Sequence, residues 1–168
     1  MVDKVGVTEQ QGLAIAAILA RRGIGAVAIG EVLAIRMPVG PTWGTGDGVT
    51  IVGTGPGTWL AFGQGVGNGW SADLERRLAG LASLSDQTGA YRLFRIAGPD
   101  ARTLLQRGAA IDMDGGVFPA GSVAVTVIGH VDVIIRNLTD DGLCYEIAVY
   151  RSYADSFLRW VDAAIAGL

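Results

Sequence analysis

Lysine is nearly missing from this chain of 168 residues: Lys4 is the only one, in a segment expected to fray. Schiff-base chemistry and a phosphate-gripping P-loop each need a well-placed lysine amine, so both classes drop out. Cysteine and histidine are as scarce, with Cys144 and His130 the single examples. One cysteine cannot close an internal disulfide, which suits a reducing compartment, and a buried small hydrophobe is the expected role of Cys144. One His and one Cys leave a metal site with only carboxylates to add, and Asp112 and Asp114 lack the rest of a calcium loop. No stretch approaches ~18 consecutive apolar residues, and the opening Met-Val-Asp-Lys lacks the charged-then-apolar order of a signal peptide. The expectation is a cytoplasmic protein with no membrane partner.

Charge is short as well. Charged residues make up 17% of the chain, against ~25% in a typical soluble domain. The balance of 13 basic to 16 acidic residues leaves no basic stripe to neutralise phosphates, which excludes nucleic acid as a partner. What is abundant is apolar or small, with half the residues hydrophobic and 26 glycines. A low charge content is compatible with a covered face, so either a partner subunit or self-association is expected. The length suits one domain around one core.

Along the chain, residues 8–22 carry Leu13, Ile15, Ile18 and Leu19 on an apolar face, with Thr8 and Gln11 spaced as a capping box and Gly23 as a stop, which predicts a helix. Residues 26–37, rich in Val and Ile and ending before Pro38, predict a strand followed by a Pro/Gly loop through Gly48. Two short strands are expected at 49–52 and 58–62, then a helix capped by Ser71 with Leu74, Leu78 and Leu81 on one face. A turn at 86–89, a strand at 91–97 and a helix opened by Pro99 with Ala101, Leu104 and Leu105 buried come next. Residues 122–136 suggest two strands flanking Gly129-His130. Residues 143–149 suggest a third after the turn Asp140-Asp141-Gly142, with Tyr145, Ile147 and Val149 on one face. Asn137-Leu138-Thr139 matches a glycosylation acceptor but reads better as the approach to that turn. Ser152 is placed to cap a closing helix bearing Phe157, Trp160, Val161 and Ile165. Strands joined by short turns predict an α+β domain with a mixed or antiparallel sheet and about four helices.

Three motifs can be weighed against simpler roles. Gly23-Ile24-Gly25-Ala26-Val27-Ala28 has the glycine spacing of a dinucleotide fingerprint, which must follow a strand and open a helix. With a helix before it and a strand after, it is in the wrong place. His130 has Asp132 two residues along the same strand face, where neither can aim at the other as base and orienter, and no Gly-x-Ser-x-Gly elbow supplies a nucleophile. The segment Tyr150-Arg151-Ser152-Tyr153 lies where a strand hands over to a helix. There the helix-start amides and the Arg151 guanidinium can hold a carboxylate, or they can form an ordinary cap and ion pair.

An ordered set of short motifs resembles the gamma subunit family of heterotetrameric sarcosine oxidase. The set comprises Gly55-Pro56-Gly57-Thr58-Trp59-Leu60, Asp86-Gln87-Thr88 and Gly98-Pro99-Asp100-Ala101 with Leu104-Leu105. It continues through Ile111-Asp112, Phe118-Pro119-Ala120-Gly121, Thr126, His130-Val131-Asp132-Val133 and Arg151-Ser152-Tyr153-Ala154 with Trp160. The match runs over about residues 7–166. No one motif is specific; their order and spacing carry the likeness. The resemblance implies a fold similar to the folate-binding domain of aminomethyltransferases, such as the T-protein of the glycine cleavage system. It also implies a complex in which alpha and beta subunits carry FAD, FMN and NAD and a delta subunit carries zinc. In such a complex sarcosine is oxidised to glycine, and its methyl carbon passes to tetrahydrofolate or leaves as formaldehyde. The gamma subunit is understood there as an assembly partner of alpha without catalytic residues of its own.

Two departures bear on the transfer. The N-terminal half here is glycine-rich and divergent, and Gly129-His130-Val131-Asp132 holds one carboxylate where aminomethyltransferases look to have an acidic pair. The expectations are therefore a non-catalytic accessory subunit that meets an alpha-type subunit, with Arg151, Ser152, Tyr153, His130 and Asp132 as contact residues for a ligand or partner. Tetrahydrofolate is the ligand this chain itself could take, and the flavins and NAD are expected only in partner subunits. The alternatives are a stand-alone folate-binding or one-carbon transfer protein, or a divergent homo-oligomeric module.

Overall fold

The computed structural model describes residues 4–168. Its elements begin with β1 (Gly6–Gln10), β2 (Leu13–Ala20), α1 (Ala26–Leu33), β3 (Trp43–Gly46), β4 (Val49–Gly55), β5 (Thr58–Gln64), α2 (Trp70–Arg77) and β6 (Ala82–Asp86). They continue with β7 (Tyr91–Ala97), α3 (Ala101–Gln106), β8 (Val123–Ile128), β9 (Val131–Asn137), β10 (Cys144–Tyr150), a 3-10 turn (Arg151–Tyr153) and α4 (Ala154–Ala166). The described residues form two five-stranded sheets in which every pairing is antiparallel, ordered β1-β7-β10-β9-β8 and β3-β4-β5-β2-β6. With four α-helices beside them, the α+β class is as expected.

Within residues 8–37 the expected elements are exchanged. Residues 13–20 are apolar at every position, and such a short run has no period to tell a buried strand from a helix. Pairing decides it: β2 is hydrogen-bonded to β5 along one edge and β6 along the other. The Thr8–Gln11 capping box does not form, because Thr8 lies in β1 opposite Arg95. Residues 26–33 form a helix despite their β-branched content, with Ile29 and Leu33, one turn apart, as its buried positions. Gly30 is required there, since a Cβ would stand 2.7 Å from the Ile35 carbonyl oxygen. Trp43–Gly46 is likewise a strand where a loop was expected.

The contacts divide the chain into two compact units, one of residues up to Gln11 with Ala90–Leu168, the other Gly12–Gly89. Each has its own apolar cluster. In the first unit Phe157 and Val161 of α4 and Leu104 and Leu105 of α3 pack with Phe94, Tyr145, Ile147 and Val149 of the sheet. Burying such side chains contributes about 1.5–3 kcal/mol each. The order from Tyr91 onward matches the sequence expectation element by element, and Asn137 is fully buried, its Nδ2 donating to the Phe118 carbonyl at 2.9 Å. In the second unit α1 and α2 supply Ile29, Leu33 and Leu74 to a cluster with Ile18, Ile51 and Trp59. Two helix starts differ from expectation. The N-cap of α2 is Gly69 rather than Ser71, and that of α4 is Tyr153 rather than Ser152; neither makes a side-chain cap.

The Gly23–Ala28 segment is also corrected: it follows β2 and opens α1, the order a dinucleotide fingerprint needs. Because both neighbours of β2 run antiparallel to it, there is no β-α-β unit to present a pyrophosphate site, and the dinucleotide reading stays excluded on topology.

Candidate functional site

Antiparallel pairing in the first unit brings the start of β9 beside the end of β10, with Val133 opposite Val149. His130, just before β9, and Asp132, at its start, therefore reach the same end of the sheet as Arg151, Ser152 and Tyr153, which follow β10. β7 begins at this end too, placing Tyr91 opposite Tyr150 with ring centroids 4.6 Å apart and planes at 24°. The amide of Arg151 donates to the Ala90 carbonyl at 2.8 Å, which fixes the turn leading out of β10. Burial, followed by a hydrogen bond with Tyr150, pushes the Tyr91 hydroxyl well above the ordinary tyrosine range. All five sequence-predicted site residues are exposed, and Tyr150 and Tyr153 expose 45% and 52% of their surface.

His130 is not on a strand with Asp132 but in the two-residue turn between β8 and β9. Gly129 and His130 there have φ 56° and 67°, the left-handed pair that a tight hairpin requires. A non-glycine residue in this region is disfavoured by about 1–2 kcal/mol, so His130 is held by the hairpin rather than by its own preference. Among the described residues no group of three His, Cys, Asp or Glu side chains is arranged to hold a metal ion.

Arg92, next to Tyr91, forms a two-pronged pair with Glu9 of β1, Nε to Oε1 at 2.8 Å and Nη2 to Oε2 at 2.7 Å. Its Nη1 meets Asp155 in the first turn of α4 at 3.2 Å, so the edge strand, β7 and α4 are tied together at the site. The Arg92 hydrogen bonds and charge hold the Glu9 carboxyl below its ordinary value of 4.5, with Arg151 adding to the effect. A carboxyl with a depressed native pKa contributes stability that is present above the unfolded value and is lost as pH falls through the native one. Glu9→Gln is accordingly expected to flatten the acid limb of stability below about pH 4.5, measured as urea midpoint against pH.

Sequence reasoning missed a second charged group. Glu146 lies in β10 directly opposite Arg95 of β7 on one side and Arg136 of β9 on the other. It is 3% exposed. Arg95 reaches its Oε1 through Nε at 3.1 Å and Nη2 at 2.6 Å, while Arg136 grips Oε2 through Nε at 3.0 Å and through Nη2. The available signal was one charged residue at matching positions in three paired strands, which emerges only once register is known. Cys144, on the same strand, is half-buried, and burial raises its thiol pKa.

The profile of the sarcosine oxidase, gamma subunit family matches residues 20–167. The chain belongs to that family. Its fold is similar to a chain of the heterotetrameric sarcosine oxidase from Corynebacterium sp. U-96, with a TM-score of 0.86 and 16% identity over 99% of this chain and 87% of that one. It is also similar to the glycine cleavage system aminomethyltransferase T from Bartonella henselae, with a TM-score of 0.65 and 15% identity. There it covers 94% of this chain but 45% of the aminomethyltransferase. Comparison with curated proteins finds no match. For this gamma-family chain the resemblance read from short motifs is thus established, and with it the fold. No helix among its described residues is long and apolar enough to cross a membrane.

Proposed function

We propose that this chain is a non-catalytic accessory subunit of a sarcosine oxidase-type complex, docking on a flavin-bearing alpha-type subunit. The contact surface in this reading is the sheet end that carries Tyr150, Arg151, Tyr153, His130 and Asp132. The observation that carries it is the exposure of two tyrosines and an arginine within four consecutive residues at one end of the sheet. Tyr and Arg are the side chains enriched at interface hot spots, where a truncation removes 2 kcal/mol or more on the order of magnitude of measured scans. FAD, FMN and NAD then reside in partner subunits, and oxidation of sarcosine proceeds there.

The likeness to aminomethyltransferase T favours a second reading, a stand-alone tetrahydrofolate-binding protein with Arg151 on the carboxylate tail. The exposed residues fit that group poorly. A drug-sized ligand is held by burying about 70–90% of its surface, whereas His130, Asp132, Arg151, Ser152 and Tyr153 are each exposed. No one-carbon step is assigned to them.

A tagged chain drawn from its native cells separates the readings. The expected outcome is co-purification of flavin-absorbing subunits in fixed ratio, reduced at least about tenfold in the double variant Arg151→Glu, Tyr153→Ala. The isolated chain should show neither flavin absorbance nor sarcosine turnover. Turnover by the chain alone would overturn the accessory role. Elution only with itself, together with saturable tetrahydrofolate binding that weakens in Arg151→Ala, would establish the second reading.

A further inference from the structure

A cleft of about 480 Å³ in the second unit is built by the chain that leaves α1 and enters β3. The loop is fixed from several sides. The Trp59 indole N–H donates to the Pro38 carbonyl at 2.9 Å, the Thr42 amide to the Gly40 carbonyl at 2.9 Å, and the Gly53 amide to the Thr42 carbonyl at 2.9 Å. Gly53 must lack a side chain here, because a Cβ would collide with the Gly40 carbonyl oxygen.

Arg36 is the only charged residue in the lining. Its guanidinium makes no hydrogen bond or ion pair with any described residue. Met37, Val39 and Trp43 give the cleft apolar walls, with Val39 83% exposed, and Thr42 and Thr45 add hydroxyls. A cleft lined by both apolar and hydroxyl-bearing side chains, with one exposed and unmatched cation, can contact a small apolar body while the guanidinium fork pairs with a planar two-oxygen anion. A single cation suits a monoanion better than a phosphate dianion.

A cleft of about 520 Å³ in the first unit shows the contrast. Its two arginines share the lining with Asp112 and Asp114, and both make hydrogen bonds, although the Nη2 of Arg102 is buried without one. Arg102 Nε reaches the Tyr145 hydroxyl at 3.4 Å, and Arg107 donates to the Ala164 and Gly167 carbonyls at 3.1 and 2.9 Å. The lining of this cleft carries no net formal charge.

We propose that the Arg36 cleft is a binding site for a small organic carboxylate with an apolar body. The site shares no residue with the sheet end discussed above and stands whether or not that surface docks on another subunit. The test is isothermal titration of the full chain with benzoate as probe and benzamide as its uncharged counterpart. Benzoate should bind saturably with a Kd on the order of 1 mM, as expected for a ligand of this size, and benzamide at least about tenfold more weakly. Arg36→Gln, a surface change that leaves the loop hydrogen bonds in place, should weaken benzoate about tenfold or more, while Arg102→Gln leaves it unchanged. Equal affinity for benzoate and benzamide, an Arg36→Gln chain that binds benzoate like the parent, or no saturation by about 50 mM benzoate would each overturn the assignment.

Discussion

Glu146→Ala is expected to lower the stability of the first unit by about 3–5 kcal/mol, the range seen when one partner is removed from a buried ion pair. The carboxylate is 3% exposed and accepts from two guanidinium groups on the neighbouring strands. Its removal leaves two like charges close together across the vacated position of β10, with Arg136 only 13% exposed and therefore poorly solvated. Arg95, 46% exposed, can turn to water, so Arg95→Met should be several times milder than Glu146→Ala. Urea unfolding followed by circular dichroism reads both. Equal midpoints for Glu146→Ala and the parent chain would show that both arginines regain water once the carboxylate is gone, and would overturn the expectation.

Gly129→Ala carries the second large effect, about 2–5 kcal/mol, from two sources that can be separated. Gly129 has φ 56°, where a side chain is disfavoured by about 1–2 kcal/mol. A Cβ there would also drive into the indole ring of Trp160, and overpacking of that kind costs about 1–3 kcal/mol. Gly121 provides the control, with φ 86° and nothing within 4 Å of the place a Cβ would take, so Gly121→Ala should show the backbone part alone. Near-UV circular dichroism should change for Gly129→Ala and not for Gly121→Ala, because only the first displaces Trp160. The same substitution moves His130 in the adjacent turn position, so it should also weaken partner capture if the sheet end is the docking surface.

Both effects arise at positions whose importance is hard to read along the chain. The sheet of the first unit was legible from Tyr91 onward because alternation, a glycine at each sharp turn and a proline before α3 all point the same way. The closing helix was legible from the spacing of Phe157, Trp160, Val161 and Ile165, of which Phe157 and Val161 are buried. Residues 13–33 were not, since an unbroken apolar run suits a strand paired on both edges as well as a helix, and Val and Ile do not prevent a helix that has a sheet to pack on. Ser71 and Ser152 have the chemistry of caps, yet the helices begin one residue before the first and two after the second.

The sequence by itself determined which chemistries are out of reach, through one lysine, one histidine and one cysteine, and it determined the family through the order of short motifs. It also determined the turns at Gly57, Gly98, Gly129 and Gly142, because a glycine at positive φ is a local requirement of the backbone. Tertiary structure alone decided that His130 and Asp132 share a sheet end with Arg151, Ser152 and Tyr153, that Glu146 lies between two arginines, and that β1 joins a sheet made of residues beyond 90. Each of these depends on strand register between segments distant in sequence. Register is set by which faces can be buried together, a property of paired strands and not of any one of them.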